Sequence, residues 1–480
     1  MTIQTTRRER SRARRGRAFA GALSVVLGVL AVLGLAGAAA SATQGPRVTH
    51  VQVDPAAAVR ASGSRVILTT NQSLQSVDPA QVEVTPAAPF TVDTSGRSVG
   101  VRFTLPLSDD TEYTVRISDV HGLGGGPATT IAESFRTPAL EAYLLQRGQD
   151  ADTIFRTDLA GDAHTVFQAP HIEDFRATSG HLVISTRDDD GNSRLLVTGL
   201  DGTGERELPL PGEGTIGLLQ AADRGELIGY TFSDADLGSG GTRESALYIA
   251  SAKEPDAEPT AVEVPGTEQR VADWRFVPDT DSLLVLTYDG RMLLISADGA
   301  DGAGADGSGV AELGTGMQID GIARGSSVAV VGRADGLVMV DLTDGTEQPL
   351  PEATGVDGLQ GVVTPIPGAG AGTVRQFYLV DAAPDEQVTN VYRVADDGTA
   401  TPVFTAPAGD AVMQTCVSPS GRYVAVLVAP DIVDNAYDDY LMPMPGTLHT
   451  HVVELSDGHE VVNLEGFDLS WCLTPPPLSQ

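Results

Sequence analysis

Cysteine, lysine and aromatic residues are scarce in this chain of 480 residues. Two cysteines, Cys416 and Cys472, exclude a scaffold held together by several disulfides. Lys253 is the only lysine, and aromatic residues make up 5% of the sequence. Trp274 and Trp471 are the only tryptophans. The stability of the fold must therefore come from packed aliphatic cores.

Long amphipathic helical patterns are also missing. Apart from one N-terminal segment, no long stretch carries apolar residues at helical spacing, whereas short alternating runs are frequent. The chain contains 54 glycines and 29 prolines, so turns are closely spaced. These patterns predict an all-β protein.

The N-terminal segment is predicted to direct export. Seven arginines between Arg7 and Arg17 precede an apolar run from Ala18 to Ala40. The run is close to the roughly 20 residues that cross a bilayer, and Ala40-Ser41-Ala42 forms a small-residue cleavage site. We interpret 1–17 as a basic cytoplasmic region and 18–42 as a signal peptide or a transmembrane anchor. In both cases the rest of the chain is predicted to be extracytoplasmic, either membrane-anchored or secreted.

The charge of the predicted exported part is strongly negative. The whole chain has a net charge of −33, and residues 1–42 contain seven arginines and Glu9, a net of +6. The remaining chain therefore carries −39. This charge disfavours nucleic acid or an anionic lipid surface as a partner, and we expect membrane contact only through the N-terminal segment.

The first module is predicted to be a β-sandwich over 43–138. Alternation is clear in RVTHVQV, SRVILTT, AQVEVTP, SVGVRFTL and TEYTVRIS. Leu105 to Pro127 and the closing SFRTP, Ser134 to Pro138, resemble the bacterial Ig-like domains of the S-layer type. The resemblance implies a spacer or adhesive module at a cell surface, with no catalytic residues.

The second module, predicted over 139–480, is repetitive. Phrases such as DFRATSGHLVIS, DWRFVPDTDSLLVLT and QTCVSPSGRYVAVLV recur, each followed by strands that end in Asp-Gly turns, as in LVMVDLTDGTEQPL. These repeats are similar to the TolB-type β-propellers, a WD40-like architecture with four strands to a blade. The resemblance implies a propeller, and we count seven inner phrases.

The two ends of this module complement each other. Phe467 to Cys472 resembles an inner strand without outer strands, and the stretch from Ala142 has outer strands without an inner one. We therefore predict a seven-bladed β-propeller closed by a C-terminal inner strand. Cys416 and Cys472 occupy the same place in successive inner strands, which predicts a disulfide at the closure. Two buried free thiols are the alternative, because adjacent blades can hold the cysteines too far apart.

Four aspartates form the strongest candidate site. If the register holds, they open four inner strands at matching positions and surround one mouth of the central channel: Asp174, Asp273, Asp320 and Asp468. Such a group would attract a cation or a cationic ligand, with calcium as the metal considered and no other cofactor expected. The alternative is structural, because aspartate often accepts hydrogen bonds from backbone N–H groups in turns.

Other motifs point to structure rather than to chemistry. Gly96-Arg97-Ser98-Val99-Gly100 fits the nucleophile-elbow pattern, but no helix follows, so we predict a hairpin. Asp188, Asp190 and Asn192 alternate as in calcium loops but lack the final carboxylate, and we predict a polar hairpin tip. His449 and His451 share one face of a strand without a third ligand. Residues 297–309 are predicted to be a flexible acidic insertion.

These features favour a non-enzymatic cell-envelope binding or scaffold protein. In this hypothesis an Ig-like stalk presents the propeller outside the membrane to a protein partner. The first alternative is a metal-dependent propeller hydrolase or lyase that acts at the channel mouth. A third possibility, recognition of wall glycan, would require exposed aromatic platforms. Fold resemblance cannot choose among these functions, because propellers support both binding and catalysis.

Overall fold

The computed structural model describes residues 19–34, 44–223, 225–296, 309–379, 387–433, 437 and 439–476. A helix, α1, spans 19–34. Among the described residues, no helix combines the length and apolar character required to cross a membrane. The basic region at 1–17, the cleavage site at 40–42 and most of the acidic insertion lie outside the described residues.

The chain forms two compact units. The first unit consists of residues up to Asp54, Arg65–Arg102 and Glu112–Phe135. Its seven strands form two antiparallel sheets, in the orders β1-β2-β5-β4 and β3-β6-β7. The strands are β1 (Val48–Gln52), β2 (Arg65–Thr70), β3 (Val82–Thr85), β4 (Phe90–Ser95), β5 (Ser98–Phe103), β6 (Glu112–Val120) and β7 (Thr129–Arg136).

Alternating side chains supply the core of this unit. In β6, Tyr113, Val115 and Ile117 are buried, whereas the residues between them are more exposed. A strand places successive side chains on opposite faces, so this alternation gives each sheet one apolar face. A short 3₁₀ helix, Pro79–Gln81, precedes β3, and its N-cap Asp78 accepts a hydrogen bond from the Ala80 N–H.

The second unit contains the larger part of the chain: Pro55–Ser64, Phe103–Thr111 and Arg136–Gln480. It begins with a short helix, α2 (Pro55–Arg60). Its strands then form one three-stranded sheet and six four-stranded sheets. The three-stranded sheet has the order β10-β9-β8, with β8 (Glu141–Gln146), β9 (Asp152–Asp158) and β10 (Ala163–Ala169).

Each four-stranded sheet consists of four consecutive antiparallel strands. The first three of these sheets are β11 (Ile172–Ala177), β12 (His181–Arg187), β13 (Ser193–Gly199) and β14 (Arg206–Leu208); β15 (Gly214–Ala221), β16 (Leu227–Asp234), β17 (Ala246–Ser251) and β18 (Thr260–Ala261); and β19 (Val271–Phe276), β20 (Ser282–Thr287), β21 (Arg291–Ser296) and β22 (Val310–Thr315).

The remaining three sheets repeat the same order. They are β23 (Gln318–Ile322), β24 (Val328–Arg333), β25 (Gly336–Asp341) and β26 (Glu347–Pro349); β27 (Leu359–Pro365), β28 (Thr373–Tyr378), β29 (Thr389–Val394) and β30 (Ala400–Thr405); and β31 (Ala411–Val417), β32 (Tyr423–Ala429), β33 (His449–Glu454) and β34 (Glu460–Glu465).

This succession of four-stranded antiparallel sheets is the pattern of a β-propeller. First strands of consecutive sheets lie beside one another, from β11 through β31. Second strands are buried on both faces, which explains apolar runs such as Tyr423–Ala429, in which every residue is buried. The all-β fold predicted from the sequence is thus present over most of the chain.

The C-terminal segment returns to the first sheet of the unit. Phe467 forms a single antiparallel bridge with Leu145, with N···O distances of 2.9 Å in both directions. Ser470 N donates to Tyr143 O at 2.9 Å. The predicted closing inner strand is thus represented by one bridge and one further hydrogen bond rather than by a regular strand. The next residue, Asp468, has a φ of +58°, which interrupts the extended backbone that a strand requires.

Candidate binding site

A cavity of about 720 Å³ lies along the first strands of the propeller unit. Its walls include three of the four candidate aspartates, Asp174, Asp273 and Asp320. Leu473, Thr474, Pro475 and Pro476 also line it, and the carbonyl oxygen of Thr474 accepts a hydrogen bond from Gln414 Nε2 at 2.9 Å. The C-terminal segment therefore narrows the cavity that the sheets surround.

Asp174 and Asp468 share one arginine. Arg176 Nη1 lies 2.6 Å from Asp468 Oδ1 and 2.9 Å from Asp174 Oδ1, and all three side chains are almost fully buried. Burial raises the pKa of Asp174 well above its usual value, while the charge of Arg176 opposes that rise. One guanidinium thus serves two carboxyl groups, and Asp468 adds to the rise in the pKa of Asp174, so the three side chains form a buried ion-pair network.

Asp273 has an arginine of its own. Its Oδ1 accepts hydrogen bonds from Arg275 Nη1 and, at 2.8 Å, from Trp274 N. Asp174 and Asp273 occupy the same register position, opposite Ser185 and Leu286 in the second strands. The matching position predicted for these two aspartates is therefore present.

Asp320 departs from the predicted register. It falls in a β-bulge between Ile319 and Gly321, where β23 contains one residue more than its partner strand. Its Oδ1 accepts from Val363 N at 3.3 Å, and its Oδ2 accepts from Gln318 Nε2 at 2.9 Å. Burial raises the pKa of Asp320. The expectation of four equivalent positions was wrong for Asp320, because Asp320 itself occupies the bulge, whereas in β11 and β19 the bulge precedes the aspartate.

The structure does not assemble the four aspartates into a metal site. Among the described residues, no group of three His, Cys, Asp or Glu side chains lies close enough to hold a metal ion. Arg176 instead pairs with Asp174 and Asp468, and Arg275 pairs with Asp273. The calcium hypothesis therefore lacks a ligand set in this part of the molecule.

The arginines belong to a wider set of links between neighbouring first strands. Each link starts from the next-to-last paired residue of a first strand, counted toward the turn into the second strand of the same sheet. Its polar side chain donates a hydrogen bond to a backbone carbonyl in the first strand of the following sheet. The links are Arg176 Nε to Leu219 O (2.8 Å), Gln220 Nε2 to Trp274 O (2.6 Å), Arg275 Nη2 to Ile319 O (3.0 Å) and Thr364 Oγ1 to Thr415 O (2.9 Å).

Two positions complete the set by other means. Gly321 holds the penultimate position of β23 and has no side chain, so Asp320 in the adjacent bulge supplies the contact with Val363 N. Cys416 holds it in β31, and a disulfide joins Cys416 to Cys472 with a Cα–Cα distance of 5.4 Å. The cysteine pair thus stands where the other strands use a hydrogen bond, and it connects the last sheet to the C-terminal segment.

Two further sequence motifs, at residues 96–100 and 188–192, lie in hairpins. Gly96 and Arg97 form the turn between β4 and β5, so Ser98 lies in a strand and contacts Thr69 Oγ1 at 3.1 Å. Asp188 Oδ1 accepts from Asp190 N at 3.0 Å and Asn192 N at 2.8 Å, which is a polar hairpin tip.

The two histidines of β33 are occupied by neighbouring side chains. His451 Nδ1 lies 3.1 Å from Glu460 Oε2, and its ring packs at 5.0 Å from the ring of Phe404. The rings of His449 and His451 are 6.4 Å apart. Both histidines therefore lie in β33 among side chains of the outer strands of the propeller.

Exposed apolar side chains of the propeller unit concentrate at one sheet edge. This edge carries the turns between second and third strands and the connections into each first strand. The large apolar side chains that are exposed among the described residues of this unit lie here, except Val362, which lies within β27 and lines the cavity: Leu237, Tyr288, Met317, Leu359, Val362, Leu379, Ile432, Val433 and Leu441. We name this set the apolar rim. Sequence analysis missed it, although large apolar residues within turn segments were its signal.

Part of the opposite edge, the turns between some first and second strands, is covered by segments of the same unit. Ser62 Oγ lies 2.6 Å from Asp279 Oδ1, and Arg422 Nη1 donates to Asp109 O at 3.1 Å. Leu105 packs on Gly325, where a Cβ atom would lie 2.7 Å from its Cδ2. The turns between first and second strands that contain Asp279, Gly325 and Arg422 are therefore in contact with other segments of this unit, whereas the apolar rim is exposed.

No known family model and no curated protein matches the chain. Among solved structures, it is similar to the WD40 repeats of RRP9 (12% identity, TM-score 0.36, 74% of this chain and 92% of that chain). It is also similar to the WD40 domain of SCAP from fission yeast (11% identity, TM-score 0.35, 68% and 88%) and to a chain of a Mitotic Checkpoint Complex (11%, 0.37, 73% and 89%). These TM-scores are too low to support a fold assignment. The assignment as a β-propeller rests on the order of strands in the sheets of this chain.

Proposed function

We propose that this chain is an extracytoplasmic binding or scaffold protein that holds a protein partner on the apolar rim of its propeller. The single observation that carries the proposal is the restriction of exposed apolar side chains to one edge of the sheets. Met317 is 71% exposed and Tyr288 57% exposed, which is costly for side chains that gain about 1.5–3 kcal/mol on burial. Clustered exposed apolar residues mark interaction surfaces.

The propeller in this proposal has seven blades. Seven consecutive sheets support this count, and the Leu145–Phe467 bridge supports closure by the C-terminal segment. A closed ring leaves no long unpaired sheet edge, so partners would meet loops rather than strand backbones. The Ig-like stalk of the S-layer type and the TolB-type relationship stay predictions from the sequence.

The extracytoplasmic location is part of the proposal. It is supported by the arginine-rich N-terminus before the apolar run Ala18 to Ala40 and by two cysteines placed for a disulfide. Disulfides persist in oxidising compartments, so the Cys416–Cys472 pair fits this location. Modification of intact cells with a membrane-impermeant reagent, followed by mass spectrometry, would test it. Labelling only after cell lysis would contradict the proposed location.

The alternative of a metal-dependent hydrolase or lyase receives less support. It requires a cation held by the aspartates at the channel mouth, where Asp174 and Asp468 already share Arg176 and Asp273 is paired with Arg275. Calcium titration with a melting readout tests this alternative directly. A rise in Tm at saturating calcium that is lost in Asp273→Asn would revive it.

Site-specific photocrosslinking in living cells tests the main proposal. A photoreactive amino acid replaces Met317 on the apolar rim, and a matched variant carries it at Asp344, an exposed turn residue at the opposite edge. We expect a defined protein adduct from position 317 and none from position 344. Equal adducts from both positions, or none from position 317, would contradict the proposal.

A further inference from the structure

The loops that surround the apolar rim are acidic. In the described residues of these loops, aspartate and glutamate outnumber arginine, and lysine does not occur. The arginines present are already engaged: Arg243 pairs with Asp234 at 2.6 Å, and Arg270 pairs with Glu268 at 2.8 Å and with Glu244 at 3.1 Å. An approaching partner therefore meets apolar side chains within a negative field.

The third arginine of these loops is enclosed by aromatic rings. The guanidinium carbon of Arg147 lies 3.8 Å from the centre of the Tyr440 ring, and Nη1 donates to Met442 O at 2.8 Å. Arg147 is 9% exposed, so it offers no accessible positive charge at the surface. The negative field of this edge is consequently not balanced by surface cations.

Asp320 is the carboxylate of the channel that lacks a basic partner. Among the described residues, no arginine, lysine or histidine nitrogen lies within 4 Å of it, in contrast to Asp174 and Asp273. Both of its hydrogen-bond donors, Gln318 Nε2 and Val363 N, are neutral. Asp320 belongs to β23, and the rim residue Met317 lies immediately before the first residue of this strand. Asp320 therefore places a half-buried carboxylate without an ion-pair partner close to the apolar rim, and Arg275 acts on it only from beyond ion-pair distance.

We propose that the apolar rim and the channel mouth bind a protein segment in which arginine or lysine lies between aliphatic residues, with the basic side chain directed to Asp320. This inference rests on the proposed function and specifies the chemistry of the partner. Charge complementarity decides the occupant: a neutral apolar segment would leave Asp320 unpaired, and an acidic segment would be repelled. Arginine and lysine stems also pack on apolar walls while the charged head reaches further.

The cavity has the shape and rigidity that such a segment needs. Four rim residues, Tyr288, Met317, Val362 and Leu441, also line the cavity, so the rim and the channel form one continuous surface. Its volume of about 720 Å³ accommodates a long side chain and its neighbours. The links between first strands hold the walls at a fixed spacing, which lowers the entropic cost of binding.

Synthetic peptides test the proposal with the full-length protein. The probe is a labelled 12-residue peptide of alternating leucine and arginine, compared with peptides that carry glutamate for arginine or serine for leucine. Binding is followed by fluorescence anisotropy at physiological ionic strength, because long-range attraction to an acidic protein is then largely screened. We expect binding of the leucine–arginine peptide and loss of binding for both comparison peptides.

Protein variants separate the site from general acidity. Asp320→Asn removes the carboxylate charge and keeps an acceptor for Val363 N, whereas Asp344→Asn makes the same charge change at the opposite edge. We expect Asp320→Asn to weaken binding about tenfold, as expected for loss of a charged hydrogen bond. Met317→Ser should weaken binding severalfold, and Asp344→Asn should change it less than about twofold.

The outcomes distinguish this inference from the proposed function. Equal weakening by Asp320→Asn and Asp344→Asn, or no binding of the leucine–arginine peptide, would overturn the inference that a cationic segment binds at Asp320. A crosslinked partner at position 317 whose contact segment contains no basic residue would overturn the inference and leave the proposed function standing. Melting curves of the variants show whether each one is folded, so lost binding is not confused with lost structure.

Discussion

Arg176 and Asp468 are 292 residues apart in sequence, yet Arg176 Nη1 lies 2.6 Å from Asp468 Oδ1 in a site closed to solvent. Phe175 N also faces Asp468 Oδ2 at 3.5 Å. The C-terminal segment is thereby attached to β11, the first strand of the first four-stranded sheet. The same arginine reaches Leu219 O in β15, so one side chain connects three separate parts of the propeller.

Replacement of Arg176 should strongly destabilise the protein. Arg176→Met leaves the carboxylates of Asp174 and Asp468 buried without a counter-charge, and removal of one partner of a buried pair costs about 3–5 kcal/mol. Urea unfolding measures the loss. The control is Arg194→Met, which breaks the half-exposed pair with Glu207 and should cost no more than about 1 kcal/mol. Similar losses in both variants would contradict the structural role of Arg176.

The disulfide should stabilise the closure. It joins residues separated by 56 positions, and a loop of that length corresponds to about 4 kcal/mol in the chain-entropy model. We expect a reductant to lower the Tm of the native protein. The double variant Cys416→Ala, Cys472→Ala should melt at a lower temperature that no longer responds to reductant. A native melting curve that is unchanged by reductant would rule out this contribution.

Stability should depend on pH in opposite senses at Asp320 and Glu268. Burial raises the pKa of Asp320, so its contribution to stability is present below its unfolded-state pKa and is lost as pH rises through the folded-state pKa. Arg270 lowers the pKa of Glu268 to about 2, so that contribution is present above the unfolded-state pKa and is lost as pH falls.

Variants of Asp320 and Glu268 test the opposite pH dependences of stability directly. Relative to the native protein, Asp320→Asn should gain stability as pH rises above the unfolded-state pKa of Asp320, because it removes a charge that the native protein forms at a desolvation cost. Glu268→Gln should instead lose relative stability as pH rises from about 2 to the unfolded-state pKa of glutamate, and the difference should stay constant above that pKa. Denaturant unfolding at several pH values gives both differences. Parallel pH profiles for the two variants would refute the assignment of opposite shifts.

A methyl group at Gly229 should disturb the core between two sheets. A Cβ atom there would lie 2.5 Å from Trp274 Cη2 and 2.8 Å from Ile249 Cδ1. Trp274 is fully buried, so it cannot move into solvent, and overpacking of this kind costs about 1–3 kcal/mol. Thermal melting of Gly229→Ala measures the cost. Gly124→Ala, where no atom lies within 4 Å of the added Cβ, should leave the Tm nearly unchanged.

The repeats allowed much of the propeller to be predicted. The Asp-Gly turns and apolar runs indicated strands of the correct type, and Asp174 and Asp273 share the position expected for them. Asp320 does not, because it occupies the bulge that in β11 and β19 precedes the aspartate, and the apolar pattern does not show which residue is bulged. The arginine beside each of Asp174 and Asp273 was visible in the sequence, but its reach across to the next strand depends on the spacing of the sheets.

Local properties of the chain therefore determined the strands, the turns and the negative charge, since each depends on residues that are close in sequence. Tertiary structure alone decided which carboxylates are neutralised and where exposed apolar residues gather. Met317 and Val433 are 116 positions apart, yet both lie at the same sheet edge because every second-to-third turn and every entry into a first strand emerges there. Such a surface arises from strand direction and sheet order, which no local pattern contains.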